Sequence, residues 1–370
     1  MLEKGRISPL QLTVFVILFS VGTTILLEPT NQAEIAQQAA WISTLLGVIV
    51  SVLVAWFYVI CARNIGDQSY VQYLQKVYGN VIGKFMILCF IFFGFIGTTT
   101  LLFHVGTFVS THMLPETPIE VLIAMFGFLI YLATRGGLEV LARCGELLLP
   151  WFLLLFIAMV VFITPKLEFE RLTPLFDVSI KQLASGAFEF VSVATFPLVV
   201  FLMFFPKNVS NLKKVKHYFL GGMFLGGFFV FIAVLLSILV LGADSTARQM
   251  YPSYVLAKSI NVGDIITRIE VIMAGMWMIT IFFKMSLYFY ATTVGLAEFF
   301  NLQTYRPIVL PIVILAVGFS TIIYPNVAFM SSWDSKYWAP YAFTMGVLFP
   351  LLTLIVDKLR NPRKNQVQQM

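Results

Sequence analysis

Apolar residues run through this chain in blocks of twenty or more, separated by short polar stretches. Strand-like alternation and the one-faced stripe of a soluble helix are both largely missing. A bilayer core takes about 20 apolar residues per helical span. The blocks give ten spans, at approximately 9–28, 41–61, 84–111, 118–134, 144–164, 183–205, 218–242, 268–297, 307–324 and 339–357. The eighth is too long for a straight crossing and predicts a helix that tilts or protrudes. A transmembrane barrel would show short alternating segments instead. Two connections are more than turns. Ser69–Gly79 spaces Tyr70, Tyr73, Leu74, Val77 and Tyr78 along one helical face, which predicts an amphipathic helix lying on the membrane. Gly242–Arg268 is the longest connection on the other side, and Tyr251–Ile260 within it predicts a second surface helix. The polar tail, residues 361–370, reads as disordered.

Composition agrees. Hydrophobic residues make up 59% of the 370 and charged residues 11%, with mean hydropathy +0.90; a soluble domain carries about a quarter charged residues. The chain therefore reads as one transmembrane domain, 1–370, with a polar tail from 358 to 370, and a five-plus-five transporter arrangement of the ten spans would set a first repeat at about 9–164 and a second at about 183–357. Ten spans put both termini on one side. Sixteen of the 24 basic residues fall there, seven fall opposite, and Lys284 lies inside a span. The positive-inside rule makes the termini cytoplasmic. The first span follows Lys4 and Arg6, lacks an A-x-A site and reads as retained.

Enzyme chemistry finds little support. His104, His112 and His217 are the three histidines, and no metalloprotease, hydrolase or phosphate-loop motif is present. Cys61, Cys89 and Cys144 read as small buried residues. No cofactor or metal is expected. The basic run Lys207–Lys216 reads as a topology signal or a contact to anionic lipid, not a nucleic-acid surface.

Irregular backbone at membrane depth is tolerated only where it lines a cavity or is covered by protein, and secondary transporters break two corresponding helices for this purpose. The first span holds Ser20-Val21-Gly22-Thr23-Thr24 and ends in Glu28-Pro29-Thr30. The sixth holds Ser185-Gly186 and then Glu189-Phe190-Val191-Ser192-Val193-Ala194-Thr195-Phe196-Pro197, where Pro197 has no donor for Val193. Small residues also serve close helix packing, but matching clusters in the first and sixth spans favour breaks. Ionisable groups at depth are functional candidates by default. Lys284 could donate to carbonyls around Gly22 and hold the first helix against the eighth, as a packing cation, a site organiser or a proton carrier. Glu189 could receive a substrate ammonium or simply face a wet vestibule. His104 reads as a hydrogen-bonded histidine between helices, and Glu146 as an anchor for Arg143 or Arg135. Gly94, Gly97, Thr98, Thr99 and Thr100 suit either a pocket wall or a packed interface, and Tyr288, one turn past Lys284, suits a pocket wall.

Longer motifs carry a resemblance. The segments ISPLQL at the start, PETPIEVL (115–122), RGGLEVLARCGELLLP (135–150), LTPLF (172–176) and the long stretch from Tyr251 to Phe300 resemble the B subunits of bacterial spore germinant receptors. These form the endospore germination permease family within the amino acid–polyamine–organocation superfamily. The resemblance covers nearly the whole chain. It implies an all-α membrane protein of ten transmembrane helices in a five-plus-five inverted repeat, leucine-transporter-like, with the first and sixth helices broken. It also implies residence in the spore inner membrane, an A subunit and a lipoprotein C subunit as partners, and a small germinant such as an amino acid as ligand. By that analogy the pocket lies between the first, third, sixth and eighth helices. The candidates are then Val21, Gly22, Thr23 and Thr24; Gly97 and Thr98; Glu189, Phe190, Ser192, Val193 and Thr195; and Tyr288, with Lys284 structural or coupling. The chain departs from many relatives in having Glu28 before Pro29 and in lacking a glycine at the sixth-helix break. Sensing through partner subunits is the expected function; active, possibly proton-coupled, amino acid transport is the alternative.

Overall fold

The computed structural model describes residues 5–174, 178–205, 207–210, 212–258 and 270–360. Helices account for nearly all of them. Apart from one isolated bridge between Ile7 and Val209, no β-pairing occurs among the described residues. The tail from 361 to 370, positions 259 and 260 of the expected surface helix, and the first residues of the expected eighth span lie outside them.

Among the described residues ten crossings follow in order. The first is split into α1 (Pro9–Val21) and α2 (Thr24–Ala36), and the second is α3 (Ala40–Ile65). A short surface helix, α4 (Tyr70–Tyr78), precedes α5 (Asn80–His112), α6 (Ile119–Gly136) and α7 (Leu138–Ile163). The sixth crossing is split into α8 (Ile180–Ala194) and a 3-10 stretch, Phe196–Met203. The seventh is α9 (Leu212–Leu241), followed by the short α10 (Ala243–Arg248) and α11 (Pro252–Lys258). The eighth is α12 (Glu270–Phe299) and the ninth α13 (Arg306–Ile323). The tenth runs from Val327 to Arg360 as α14 (Val327–Trp333), α15 (Ala339–Phe343) and α16 (Phe349–Arg360), joined by π turns at Asp334–Trp338 and Thr344–Leu348. By length and apolarity nine helical stretches among the described residues qualify as spans. The tenth emerges because α2 and α3 count as one stretch, and α1 alone, 13 residues and about 20 Å long, is too short to cross.

Contacts between chain ends confirm the alternation. On the terminal side Ile7 bridges Val209, the Arg6 N–H donates to Glu139 Oε1 at 2.7 Å, and the Tyr73 hydroxyl donates to Asp357 Oδ2 at 2.9 Å. On the far side Thr30 Oγ1 donates to the Gln249 carbonyl at 2.7 Å and the Glu168 N–H to the Leu239 carbonyl at 3.1 Å. The two halves, α1–α7 and α8–α16, repeat with opposite orientation. Each carries a surface helix between its second and third crossings, α4 on the terminal side and α10–α11 on the far side.

Local chemistry sets the boundaries. Ser69 caps α4 through a reciprocal pair with Gln72, and Tyr70, Val71, Tyr73, Leu74 and Val77 form its buried face. The first crossing runs on through Pro29 to Ala36 instead of ending near residue 28. Pro29 cannot donate to the carbonyl of Ile25, and Ser253 of α11 does so instead, at 2.7 Å. The tenth crossing also starts earlier than hydropathy suggests, since Val327–Trp333 is already helical.

Glycines let α9 approach α1. A Cβ on Gly222 would lie 3.0 Å from the Thr13 carbonyl oxygen and 3.1 Å from Val16 Cβ, whereas one on the neighbouring Gly221 would meet nothing within 4 Å. Gly222→Leu therefore overpacks a backbone contact, at a cost of about 1–3 kcal/mol, and lowers the thermal midpoint of the purified protein. Gly221→Leu leaves it unchanged. Equal midpoints for the two variants would contradict this packing.

Candidate functional site

The first break follows from Gly22 and Thr23. The α1 ladder ends at the Gly22 N–H, which donates to Leu18 O at 3.0 Å, and α2 restarts with Leu26 and Leu27 donating to Thr23 O. A side chain at Gly22 would run into Lys284 Cδ, so only glycine lets the lysine stem pass the backbone. The second break follows from Pro197. Its ring supplies no N–H for Val193 O, and the chain continues from Phe196 as a 3-10 stretch.

Lys284 joins the two breaks. Its Nζ donates to Val193 O at 2.9 Å and to Thr23 Oγ1 at 3.1 Å, so the carbonyl that Pro197 leaves open is taken by a charged donor. The ammonium sits 5.5 Å from the Phe19 ring centroid, and one turn earlier Thr280 Oγ1 lies 3.3 Å from Gly22 O. The side chain is buried, 2% exposed. Glu28 is wholly buried in α2. The Glu28 carboxylate accepts from Gln32 Nε2 at 2.9 Å, and the same amide nitrogen donates to Gly186 O at 2.8 Å, tying α2 to α8.

A cavity of about 50 Å³ lies beside this junction. Of the residues anticipated from the sequence, Thr23, Gly97, Glu189, Val193, Lys284 and Tyr288 line it. The others are elsewhere. Gly22 lies under the Lys284 stem; Val21 and Thr24 are buried beside the first break without reaching the cavity. Thr98 Oγ1 turns back to Gly94 O, Phe190 packs where Gly47 leaves room, and Ser192 Oγ turns back to Glu189 O. Thr195 Oγ1 donates to Ser51 Oγ on α3 at 2.6 Å, facing away from the cavity. On a helix, neighbours in sequence point about 100° apart, so a break cluster cannot all face one space.

The remaining lining residues are Leu27, Asn31, Thr100, Leu101, His104, Asp334 and Trp338. His104 Nε2 lies 3.0 Å from Asp334 Oδ2, which places the interhelical partner of this buried histidine on the tenth crossing. Trp338 Nε1 donates to Ser192 O at 3.2 Å. Both residues belong to the π turn Asp334–Trp338, a kind of helical defect often found at functional sites. The available sequence signal was an acid followed by Tyr337 and Trp338 just before an apolar block. Hydropathy starts the tenth span at 339, after this segment. Across the cavity Glu189 is half-buried, and among the described residues its carboxylate receives no hydrogen bond.

The cavity is reached from one side. Toward the far side it continues into a vestibule of about 590 Å³ that shares Leu27, Asn31, His104, Glu189 and Asp334 and is edged by Arg248, Gln249 and Ser331. Toward the terminal side aromatic rings close it: Phe19 lies 5.2 Å from both Tyr288 and Phe201, and Phe201 lies 5.0 Å from Phe204. Deeper still, Lys207 Nζ pairs with Glu298 Oε1 at 3.1 Å, and Ser69 donates to the other oxygen of that carboxylate.

Among solved structures, the amino-acid-bound protein described as MhsT in complex with L-phenylalanine superimposes with a TM-score of 0.66 at 12% identity, covering 96% of this chain and 99% of that one. Mhp1, a nucleobase-cation-symport-1 family transporter in a closed conformation with bromovinylhydantoin bound, gives 0.60 at 15% identity, covering 92% and 77%. These likenesses establish the leucine-transporter-like fold. Spore germination protein KB of Bacillus subtilis (strain 168) is 30% identical over 328 residues, 86% of this chain and 87% of that protein. The family model described as "Spore germination protein" matches residues 6–329. A multi-pass membrane chain of transporter fold, with its cavity between two broken helices, thus belongs to the spore germination permease family.

Proposed function

We propose that this chain is the B subunit of a spore germinant receptor, one transmembrane domain that binds an amino acid at the mid-membrane cavity and signals through an A subunit and a lipoprotein C subunit. The carrying observation is the cavity itself. It places an unsatisfied carboxylate, Glu189, across from an ammonium, Lys284, that is anchored to both helix breaks. A zwitterion fits that polarity, and the L-phenylalanine bound to MhsT supports an amino acid in this fold. The excess of basic residues on the terminal side supports cytoplasmic termini, and membership of the spore germination family supports the spore inner membrane. In that orientation the vestibule opens outward, where a nutrient arrives. Binding can shift the helices only through different affinities for two arrangements. Lys284, spanning the breaks, touches both elements that would have to move.

Transport is the second reading, favoured by the fold and by a cavity that continues into a far-side vestibule. Proteoliposomes containing the purified chain separate the two. Saturable binding of an amino acid without accumulation, with or without a proton gradient, is the expected result; gradient-driven accumulation would make the chain a transporter, and no binding of any amino acid would remove both readings. Lys284→Met leaves Val193 O without its donor and abolishes binding, so a Lys284→Met protein with normal affinity would overturn the site assignment. Gly97→Leu provides an independent check. A Cβ there already lies 2.5 Å from the Tyr288 ring, so the longer side chain forces the tyrosine into the cavity and prevents binding in a protein that still folds.

A further inference from the structure

Among the described residues, three backbone carbonyls around the sixth-crossing break accept from side chains of three other crossings. Val193 O, left open by Pro197, takes the Lys284 ammonium, and Ser192 O takes the Trp338 indole N–H at 3.2 Å. Both of these donors line the cavity. The third donor, Tyr58 on α3, does not. It is fully buried, and its hydroxyl lies 2.8 Å from Phe196 O and 3.0 Å from Gly346 O, in the second π turn of the tenth crossing. Building on the ligand-binding reading above, we infer that Tyr58 is a positioning residue for the ligand site: its hydroxyl holds the broken sixth crossing in register with the tenth, and so sets where Val193 and Trp338 meet the cavity.

The two carbonyls have a common need. Phe196 O opens the 3-10 stretch and Gly346 O lies in a π turn, both places where the regular α-helical ladder is interrupted. The backbones are in contact there, since a Cβ on Gly346 would come within 2.6 Å of Phe196 O. No side chain of the tenth crossing fits between them. The donor therefore has to come from a third helix, and a tyrosine supplies one proton for both oxygens. Water cannot relieve a bare carbonyl at this depth. Aromatic packing surrounds the same point: Phe196 lies 5.7 Å from Phe188 of α8 and 5.5 Å from Phe343 of α15. Ring contacts tolerate sliding, whereas a hydrogen bond fixes direction and distance. Phenylalanine at position 58 would keep the ring and its packing, so the hydroxyl can be tested alone.

The test compares Tyr58→Phe with Tyr305→Phe in the full chain in lipid nanodiscs. Tyr305 is also buried, and its hydroxyl donates to Thr134 O at 3.3 Å, on α6. Hydrogen–deuterium exchange is read on peptides covering Phe196–Met203, Thr344–Leu348 and, as a reference, α7. In Tyr58→Phe the first two should exchange about tenfold faster with α7 unchanged, and Tyr305→Phe should alter none of the three. A hydroxyl that serves only general stability would speed all three together. That result, or a rise in neither or only one of the first two, would overturn the assignment. If Tyr58→Phe does not fold, Gly346→Ala presses on Phe196 O from the other side and should loosen the same two segments. Binding is the second readout. Any standard amino acid that binds the wild type in proteoliposomes should need about tenfold more for half-saturation of Tyr58→Phe, with Tyr305→Phe unchanged, although neither side chain lines the cavity. Wild-type affinity in Tyr58→Phe would also overturn the assignment. If no amino acid binds, the earlier reading falls, and the exchange comparison still decides whether Tyr58 holds the two crossings together.

Discussion

The bond from Lys284 to Val193 O is the contact on which the rest of the site depends. Proline in a membrane helix leaves a carbonyl that water cannot reach, and an unsatisfied backbone group in hydrocarbon costs several kcal/mol. A lone ammonium at the same depth is equally unfavourable. Here each problem answers the other: the ammonium donates to the carbonyl freed by Pro197, and Thr23 Oγ1, at the other break, gives it a second acceptor. The same logic recurs at Pro29, where Ser253 donates to Ile25 O. Both donors come from the second half of the chain. The broken first helix is therefore completed by its neighbours, and its shape cannot be separated from where α11 and α12 sit.

Charge is distributed unevenly around this junction. The cation is anchored at the breaks by neutral oxygens, and the acids lie between it and the vestibule. Glu28 is fully engaged by Asn31 and Gln32, Asp334 by His104, and Glu189 by nothing within hydrogen-bond reach among the described residues. Glu189 and Asp334 border the vestibule as well as the cavity. The closed side is built from rings, with Phe19, Phe201, Phe204 and Tyr288 in contact, so water is kept from the terminal end of the junction.

How much of this could be read in the sequence depends on whether a residue breaks a local rule. Lys284 and Glu189 are charges in apolar blocks and stand out for that reason. Pro197 and Gly22 interrupt helices by their own chemistry, so both breaks could be located. The surface helix α4 announces itself by its spacing and by Ser69 before it. Asp334 broke no visible rule, because hydropathy alone starts the tenth span after it and the π turn shifts the helical register. Thr195 and Phe190 sit in the right segment but face α3, and segment membership carries no information on facing once a helix is broken. Pairings such as His104 with Asp334 or Gln32 with Gly186 join residues more than 150 positions apart, and one sequence holds no record of such meetings.

The tenth crossing reaches further than the cavity. Its first π turn presents Asp334 and Trp338 to the site. Its second, Thr344–Leu348, carries Gly346, where an added Cβ would come within 2.6 Å of Phe196 O, and the Tyr58 hydroxyl lies 2.8 Å from Phe196 O and 3.0 Å from Gly346 O. Its last turns place Asp357 on Tyr73 and Arg360 on the Val77 carbonyl of α4. One helix thus touches the cavity, the 3-10 half of the sixth crossing and the terminal-side surface helix. A regular helix transmits an axial shift along its length, whereas a π turn can take up one residue of register. Any displacement of Asp334 must therefore be absorbed in one of these two turns or reach Asp357 and Arg360. Close packing of Gly346 against Phe196 leaves the second turn little free space.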